Sequence, residues 1–190
     1  MEHTTDKQTN SEKEFLSIKK RDIDLQISVH RSILFCKDSV NLLKDYLMTV
    51  IKNFPGKVIY VTSGDEKIHL AKLLDMNVFA PIDLAYINDF SKIIISTDSK
   101  ELKPLQAEMQ NIYEFIKNRL DKKTLVIIDD AHNTIPEYIP DIIRLSPDNC
   151  IIIFESDEQM RGLYKKKNIA PEKELTQNYW SVTNLHDFSK

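Results

Sequence analysis

The sequence predicts an α/β fold, a three-layer sandwich around a mainly parallel sheet, and three observations carry that prediction. Short apolar runs recur at 32–36, 58–62, 125–128 and 150–154, with a shorter one at 93–95. They are continuous rather than alternating in polarity, as strands buried on both faces of a parallel sheet are. Segments with helical spacing separate them, and the order strand, helix, strand, helix, strand, helix, strand, strand is that of right-handed βαβ units.

Each helix has its own signals. Asp38 and Ser39 offer an N-cap, after which Val40, Leu43, Tyr46, Leu47, Val50, Ile51 and Phe54 recur at three- and four-residue steps until Pro55-Gly56 stops the helix. A second, shorter helix runs through Ile68, Ala71, Leu73 and Leu74. A third starts near Lys100 and carries Leu105, Met109, Ile112, Phe115 or Ile116, and Leu120 on one face, with Pro104 in its first turn or at its true start. Beyond Phe154 the apolar density falls. Lys165-Lys166-Lys167 and Pro171 mark a hinge before a last element around 179–182, an edge strand of the same sheet or a segment docked elsewhere. Trp180 and Tyr179 read first as core or edge-strand residues and second as an interface anchor.

With 190 residues, 42% of them hydrophobic, the chain fills one core rather than two. The expected organisation is a polar, disordered tail over 1–13 and one domain over 14–190, its core at about 25–160 and a C-terminal extension at 161–190. A net charge of -3 gives no long-range attraction to nucleic acid or anionic lipid. The basic clusters Lys19-Lys20-Arg21 and Lys165-Lys166-Lys167 read as solvated surface or helix ends, so nucleic acid is not expected as a strong direct partner. Cys36 and Cys150 sit inside apolar runs, as buried reduced thiols do. No leader-like apolar stretch and no run of membrane-spanning length is read, so the expected location is cytoplasmic, with no membrane partner.

The strongest chemical motif is Leu125-Val126-Ile127-Ile128-Asp129-Asp130-Ala131-His132. It sets two carboxylates just past a buried strand, where a nucleoside triphosphatase keeps the acids that order magnesium and polarise water. The competing reading is that Asp129, Asp130 and Asn133 turn and cap the chain after a strand. A phosphate-binding loop belongs after the first strand, but Phe35-Cys36-Lys37-Asp38-Ser39 there holds no glycine, and Asp38 brings charge of the wrong sign. Gly56-Lys57 precedes a strand instead of opening a helix, and the other glycines, Gly64 and Gly162, form no cradle. The histidines show no metal-ligand spacing, so His132 is expected to cap or support; Asp129 is the metal candidate if there is one. No Ser or Cys stands on a glycine-framed elbow.

With strands and acids placed, residues 25–160 resemble the RecA/KaiC superfamily, in a degenerate form that lacks the phosphate loop. In that family the acid after the second strand helps prepare the attacking water, a role the resemblance gives to Glu66 or Asp65. Within the superfamily the stretch Val29-His30-Arg31-Ser32-Ile33-Leu34-Phe35-Cys36-Lys37-Asp38-Ser39, followed by Gly56-Lys57-Val58-Ile59-Tyr60-Val61-Thr62-Ser63, is similar to the MEDS sensory domains. That similarity implies ligand sensing or signalling and singles out His30 and Cys36. The RadA/RecA paralogs are the other branch it resembles.

The function expected is a non-catalytic sensory or regulatory domain that binds a small ligand or a protein partner at the C-terminal edge of its sheet. Cys36 to Ser39, Ser63 to Glu66, Ser96 to Asp98 and Asp129 to His132 converge there in this reading, and the ligand-binding candidates are His30, Cys36, Asp38, Ser39, Asp65, Glu66, Asp129, Asp130 and His132. No cofactor and no enzymatic activity are expected, and self-association is compatible with the reading. The alternatives are an accessory protein in DNA recombination, or a weak ATP-binding protein that takes Mg-ATP at an unconventional site.

Overall fold

The computed structural model describes residues 15–20, 23–28, 31–35, 48–63, 67–97, 106–145, 150–165, 168 and 170–184. In chain order they form β1 (Phe15–Lys20), β2 (Ile23–Ser28), β3 (Arg31–Phe35), a helix α1 described over 48–53, β4 (Lys57–Thr62) and α2 (Lys67–Leu74). Next come β5 (Asn77–Phe79), a 3-10 turn (Pro81–Tyr86), β6 (Lys92–Ser96), α3 (Gln106–Arg119), β7 (Thr124–Ile128), α4 (Ala131–Thr134), a second 3-10 turn (Pro136–Tyr138) and α5 (Ile139–Ile143). The chain continues through β8 (Cys150–Glu155), α6 (Asp157–Lys165), α7 (Pro171–Gln177) and β9 (Ser181–Asn184).

Seven strands join in one sheet in the order β5-β6-β4-β7-β8-β3-β9, with every neighbouring pair parallel. Each expected apolar run is a strand, displaced by no more than a residue or so, although Cys36 lies outside the described residues. The last expected element is β9, paired parallel to β3 at the sheet edge. The elements not anticipated are the antiparallel β1–β2 hairpin, the short edge strand β5, the helices α4 and α5 between β7 and β8, where strand was expected to follow strand directly, and the helices α6 and α7 on either side of the expected hinge. The start of the third helix at Lys100 and Pro104 lies outside the described residues.

Strand alternation divides the core in two. Ile59, Val61, Ile93, Ile95, Val126, Ile128, Ile151 and Ile153 meet Met109, Ile112 and Ile116 of α3, Ile139 and Ile142 of α5, and Met160 and Tyr164 of α6. Val58, Tyr60, Ile94, Leu125, Ile127, Cys150, Ile152 and Phe154 meet Val50 and Ile51 of α1 and Leu70 of α2. Helices therefore cover both faces, which is why the strands read as unbroken apolar runs. Each fully buried aliphatic side chain contributes about 1.5–3 kcal/mol of transfer free energy. Cys150 is buried as a free thiol. Among the described residues no helix is long and apolar enough to cross a membrane.

The strand order places a crevice. From β4 the chain leaves along α2 on one face and builds β5 and β6 on one side. It then crosses back over β4 through α3 and resumes at β7 and β8 on the other side, with α4 and α5 on the opposite face. Consecutive connections diverge between β4 and β7, and in open α/β sheets that divergence opens a crevice beyond the carboxyl ends of the two strands.

Two backbone positions carry local demands. Gly56 enters β4 against the turn before β7, where Lys57 N–H donates to the Lys123 carbonyl at 2.8 Å. A Cβ on Gly56 would stand 1.9 Å from that carbonyl oxygen and 2.9 Å from its carbon, so glycine serves close backbone approach here. Helix α7 ends with Tyr179 N–H donating to Thr176 O at 3.2 Å and Trp180 N–H to Leu175 O at 2.9 Å, a paired closure that requires a left-handed residue between them. Tyr179 takes that role at φ 60° and is 79% exposed, while Trp180 turns inward and donates Nε1–H to Ile143 O at 2.9 Å. Trp180 is thus core, as its first reading had it.

Two stability outcomes follow, both measured by urea unfolding. Gly56→Ala lowers stability by about 2 kcal/mol, because backbone must shift to admit the methyl group. Tyr179→Gly raises it by about 1 kcal/mol, because the left-handed conformation no longer opposes a Cβ.

Candidate functional site

The carboxyl ends of β6, β4, β7 and β8 lie side by side, and register determines which residues share a face. Thr62 pairs with Ser96, Val61 with Ile128, and Ile128 with Ile153. The ladder continues beyond the strands, with Thr97 N–H donating to Thr62 O at 3.1 Å and Asp129 N–H to Val61 O at 2.9 Å. One residue further, Thr97, Ser63, Asp130 and Glu155 therefore form a row across four strands on the α3 face. One residue back, Ser96, Thr62, Asp129 and Phe154 form the matching row on the α2 face.

On the α2 face Asp129 is drawn in. Its Oδ2 accepts from Tyr60 Oη at 2.9 Å and Thr62 Oγ1 at 3.3 Å, both on β4. Tyr60 and Thr62 are each 1% exposed, so the carboxyl meets hydroxyls inside the sheet-helix layer. Burial pushes the Asp129 carboxyl above its ordinary range; the hydroxyl bonds oppose that shift, and the neighbouring Asp130 charge reinforces it.

On the α3 face Asp130 makes the turn. It adopts a left-handed φ of 54° and ψ of 53°, a conformation in which aspartate is enriched. Its carbonyl accepts from Asn133 N–H at 2.9 Å and Thr134 N–H at 3.0 Å, opening α4. Its Oδ2 accepts from Ser63 Oγ at 2.7 Å and Asn133 Nδ2 at 2.9 Å. Glu155 is 5% exposed and is met by donors on both oxygens: His132 N–H at 2.7 Å on Oε2 and Ser156 N–H at 2.7 Å on Oε1. His132 Nδ1 lies 2.8 Å from Glu155 Oε2 and 3.2 Å from Asp130 Oδ1. Carboxylate oxygens that already accept leave Nδ1 as the donor, so Glu155 fixes the imidazole's tautomer and direction.

Of the residues expected at this edge, Asp129, Asp130 and His132 come together, beside Ser63 and Ser96. His30, Cys36, Asp38, Ser39, Asp65, Glu66 and Asp98 lie outside the described residues. Tyr60, Thr62 and Glu155 were missed, while Thr97 lies in the expected stretch Ser96 to Asp98. Glu155 follows the apolar run 150–154 without a break, and only the register opposite Asp130 distinguishes it from any polar strand end. Among the described residues no group of three or more His, Cys, Asp or Glu side chains is arranged to hold a metal ion, and no lysine or arginine bonds to Asp129, Asp130 or Glu155.

The Asp129 environment has a pH signature. A carboxyl whose folded value lies above its ordinary 3.8 contributes stability that is complete below that pH and is lost as pH rises through the folded value. The amide introduced by Asp129→Asn keeps an oxygen acceptor for Tyr60 and Thr62 but cannot ionise. The stability of Asp129→Asn relative to the unaltered chain therefore increases as the pH is raised from below 3.8 through the folded value, read from paired denaturant curves.

No family model, no curated protein and no solved structure matches this chain.

Proposed function

We propose that this chain is a non-catalytic regulatory or sensor domain that binds a small ligand or a protein partner in the crevice between β4 and β7. One observation carries the reading: the acid pair past β7 is spent inside the protein. An acid that orders a magnesium shell needs oxygens turned outward and fully charged. Asp129 instead gives Oδ2 to two hydroxyls of β4 under conditions that favour its neutral form, and Asp130 gives its own Oδ2 to Ser63 and Asn133. These residues do not fit Mg-ATP, and no step is routed through it.

The scaffold supports the same reading. Parallel strands, helices on both faces and an acid pair at the end of a central strand are what a RecA/KaiC-like core without its phosphate loop would keep. A switch point with polar side chains converging from adjacent strands is the usual seat of a ligand in such sheets.

Isothermal titration with ATP, with and without magnesium, on the unaltered chain and on Asp129→Asn tests this. No saturable heat is expected at millimolar nucleotide. Magnesium-dependent binding that Asp129→Asn abolishes would overturn the reading and identify a nucleotide site.

A further inference from the structure

Among the described residues the large sheet ends on a strand whose outer side has no partner. Strand β5 is the first in the order β5-β6-β4-β7-β8-β3-β9, and it pairs with β6 on its inner side. Its residues Asn77, Val78 and Phe79 carry no charge, and an uncharged edge leaves backbone N–H and C=O groups open to another strand. An edge this short pairs with few residues of a guest, so side chains beside it must supply the rest of any contact.

Those side chains are present. Leu73, Val78, Ile82 and Tyr86 are four of the five large hydrophobic residues exposed among the described residues, with Ile82 73% and Tyr86 82% exposed. They flank the edge from both faces. Val78 pairs with Ile94, whose side chain joins the α2-side core, and α2 itself carries Leu73 and packs on β5. Ile82 and Tyr86 belong to the 3-10 turn that packs on α3, on the other face. Exposed hydrophobic residues scattered singly need no explanation, but a group gathered at an open strand edge does.

The charge around this group selects its cover. Between Lys72 and Lys92 the chain carries Asp75, Asp83 and Asp89 and no lysine or arginine. Asp89 pairs with Lys57, whereas Asp75 and Asp83, exposed on either side of β5 in sequence, make no ion pair among the described residues. A second copy of this edge would bring its own Asp75 and Asp83 to the seam with no base from that stretch to offset them. A strand with basic residues at its ends meets opposite charge instead.

We propose that β5 is a docking edge for an extended segment of a partner protein, apolar where it pairs with Asn77–Phe79 and carrying lysine or arginine on either side. The segment adds to the sheet through backbone hydrogen bonds and lays its side chains on Leu73 and Val78 on one face and on Ile82 and Tyr86 on the other. Its basic residues face Asp75 and Asp83. This surface lies beyond β6 from the crevice between β4 and β7 and does not depend on what binds there.

The test uses a short blocked peptide of alternating valine and threonine with a lysine at each end. A second peptide has glutamate in place of each lysine, and a third is the lysine peptide N-methylated at its valines and threonines. Each is titrated into the full chain and followed by amide chemical shifts and amide hydrogen exchange. The lysine peptide is expected to saturate at millimolar concentration, to move Asn77, Val78, Phe79, Ile82 and Tyr86 together, and to slow exchange in β5. The glutamate peptide is expected to bind more weakly and the N-methylated one not at all. Ile82→Ser combined with Tyr86→Ser leaves thermal stability unchanged, because both side chains are exposed, yet lowers affinity for the lysine peptide about tenfold. Asp75→Asn combined with Asp83→Asn removes the difference between the lysine and glutamate peptides. No saturation by the lysine peptide, equal binding of the N-methylated one, or unchanged affinity in the serine variant overturns the proposal. A concentration-dependent dimer of the free chain in sedimentation, dissolved by the serine variant, assigns the edge to a second copy and overturns the partner segment.

Discussion

One backbone hydrogen bond sets the chemistry of the sheet edge. Asp129 N–H to Val61 O, at 2.9 Å, carries the β4–β7 ladder one residue past the strand. With it, Asp129 stands opposite Thr62 and Asp130 opposite Ser63; a slip of one residue would send each acid to the other face. The two consecutive aspartates then live in different surroundings. Asp129 lies over Tyr60 in the layer closed by α1 and α2, and Asp130 lies over Ser63 at the mouth of the layer closed by α3 to α6.

The three carboxyls of this edge meet the cost of leaving water in different ways. Glu155 is the most enclosed and receives donors on both oxygens, two of them backbone N–H groups that cannot turn away. That geometry satisfies an enclosed carboxylate without a cation. Asp129 receives two hydroxyls on one oxygen, and burial outweighs them, so its carboxyl is held above the ordinary range. Asp130 is partly exposed and bonds locally, with its left-handed backbone held by the same Asn133 that bonds its side chain. Identical neighbours in sequence are thus a buried carboxyl with a raised pKa on one face and a turn-maker on the other.

Most of the sheet was legible in the sequence because burial on both faces writes itself as unbroken runs such as Leu125-Val126-Ile127-Ile128. The elements that escaped are those whose stability comes from elsewhere. Strand β5 is three residues long with Asn77 and Val78 exposed, and it depends on β6 for its partner. Helix α6 carries Met160, Leu163 and Tyr164 at helical spacing, but the fall in apolar density beyond Phe154 and the lysines at 165–167 read as the approach to a hinge. At the site, Asp129, Asp130 and His132 announced themselves as a motif. Ser63 and Thr97 were placed at the edge as parts of longer stretches, but Tyr60, Thr62 and Glu155 could not be, because they matter only through cross-strand register, and register is a property of pairing rather than of any one segment.

The absence of glycine at the first strand and the behaviour of the acids at β7 are two sides of one argument. A phosphate-binding edge needs backbone amides that close on the ligand and acids that stay charged to hold its metal. Cys36-Lys37-Asp38-Ser39 supplies no glycine for the first requirement, and the hydroxyl pair on Asp129 works against the second. Restoring either feature alone would leave phosphate facing Asp130 and Glu155 with no bonded lysine or arginine among the described residues to offset them. Loop sequence and acid placement thus point the same way, since neither the stretch after the first strand nor the Asp129 surroundings has the features a phosphate site uses.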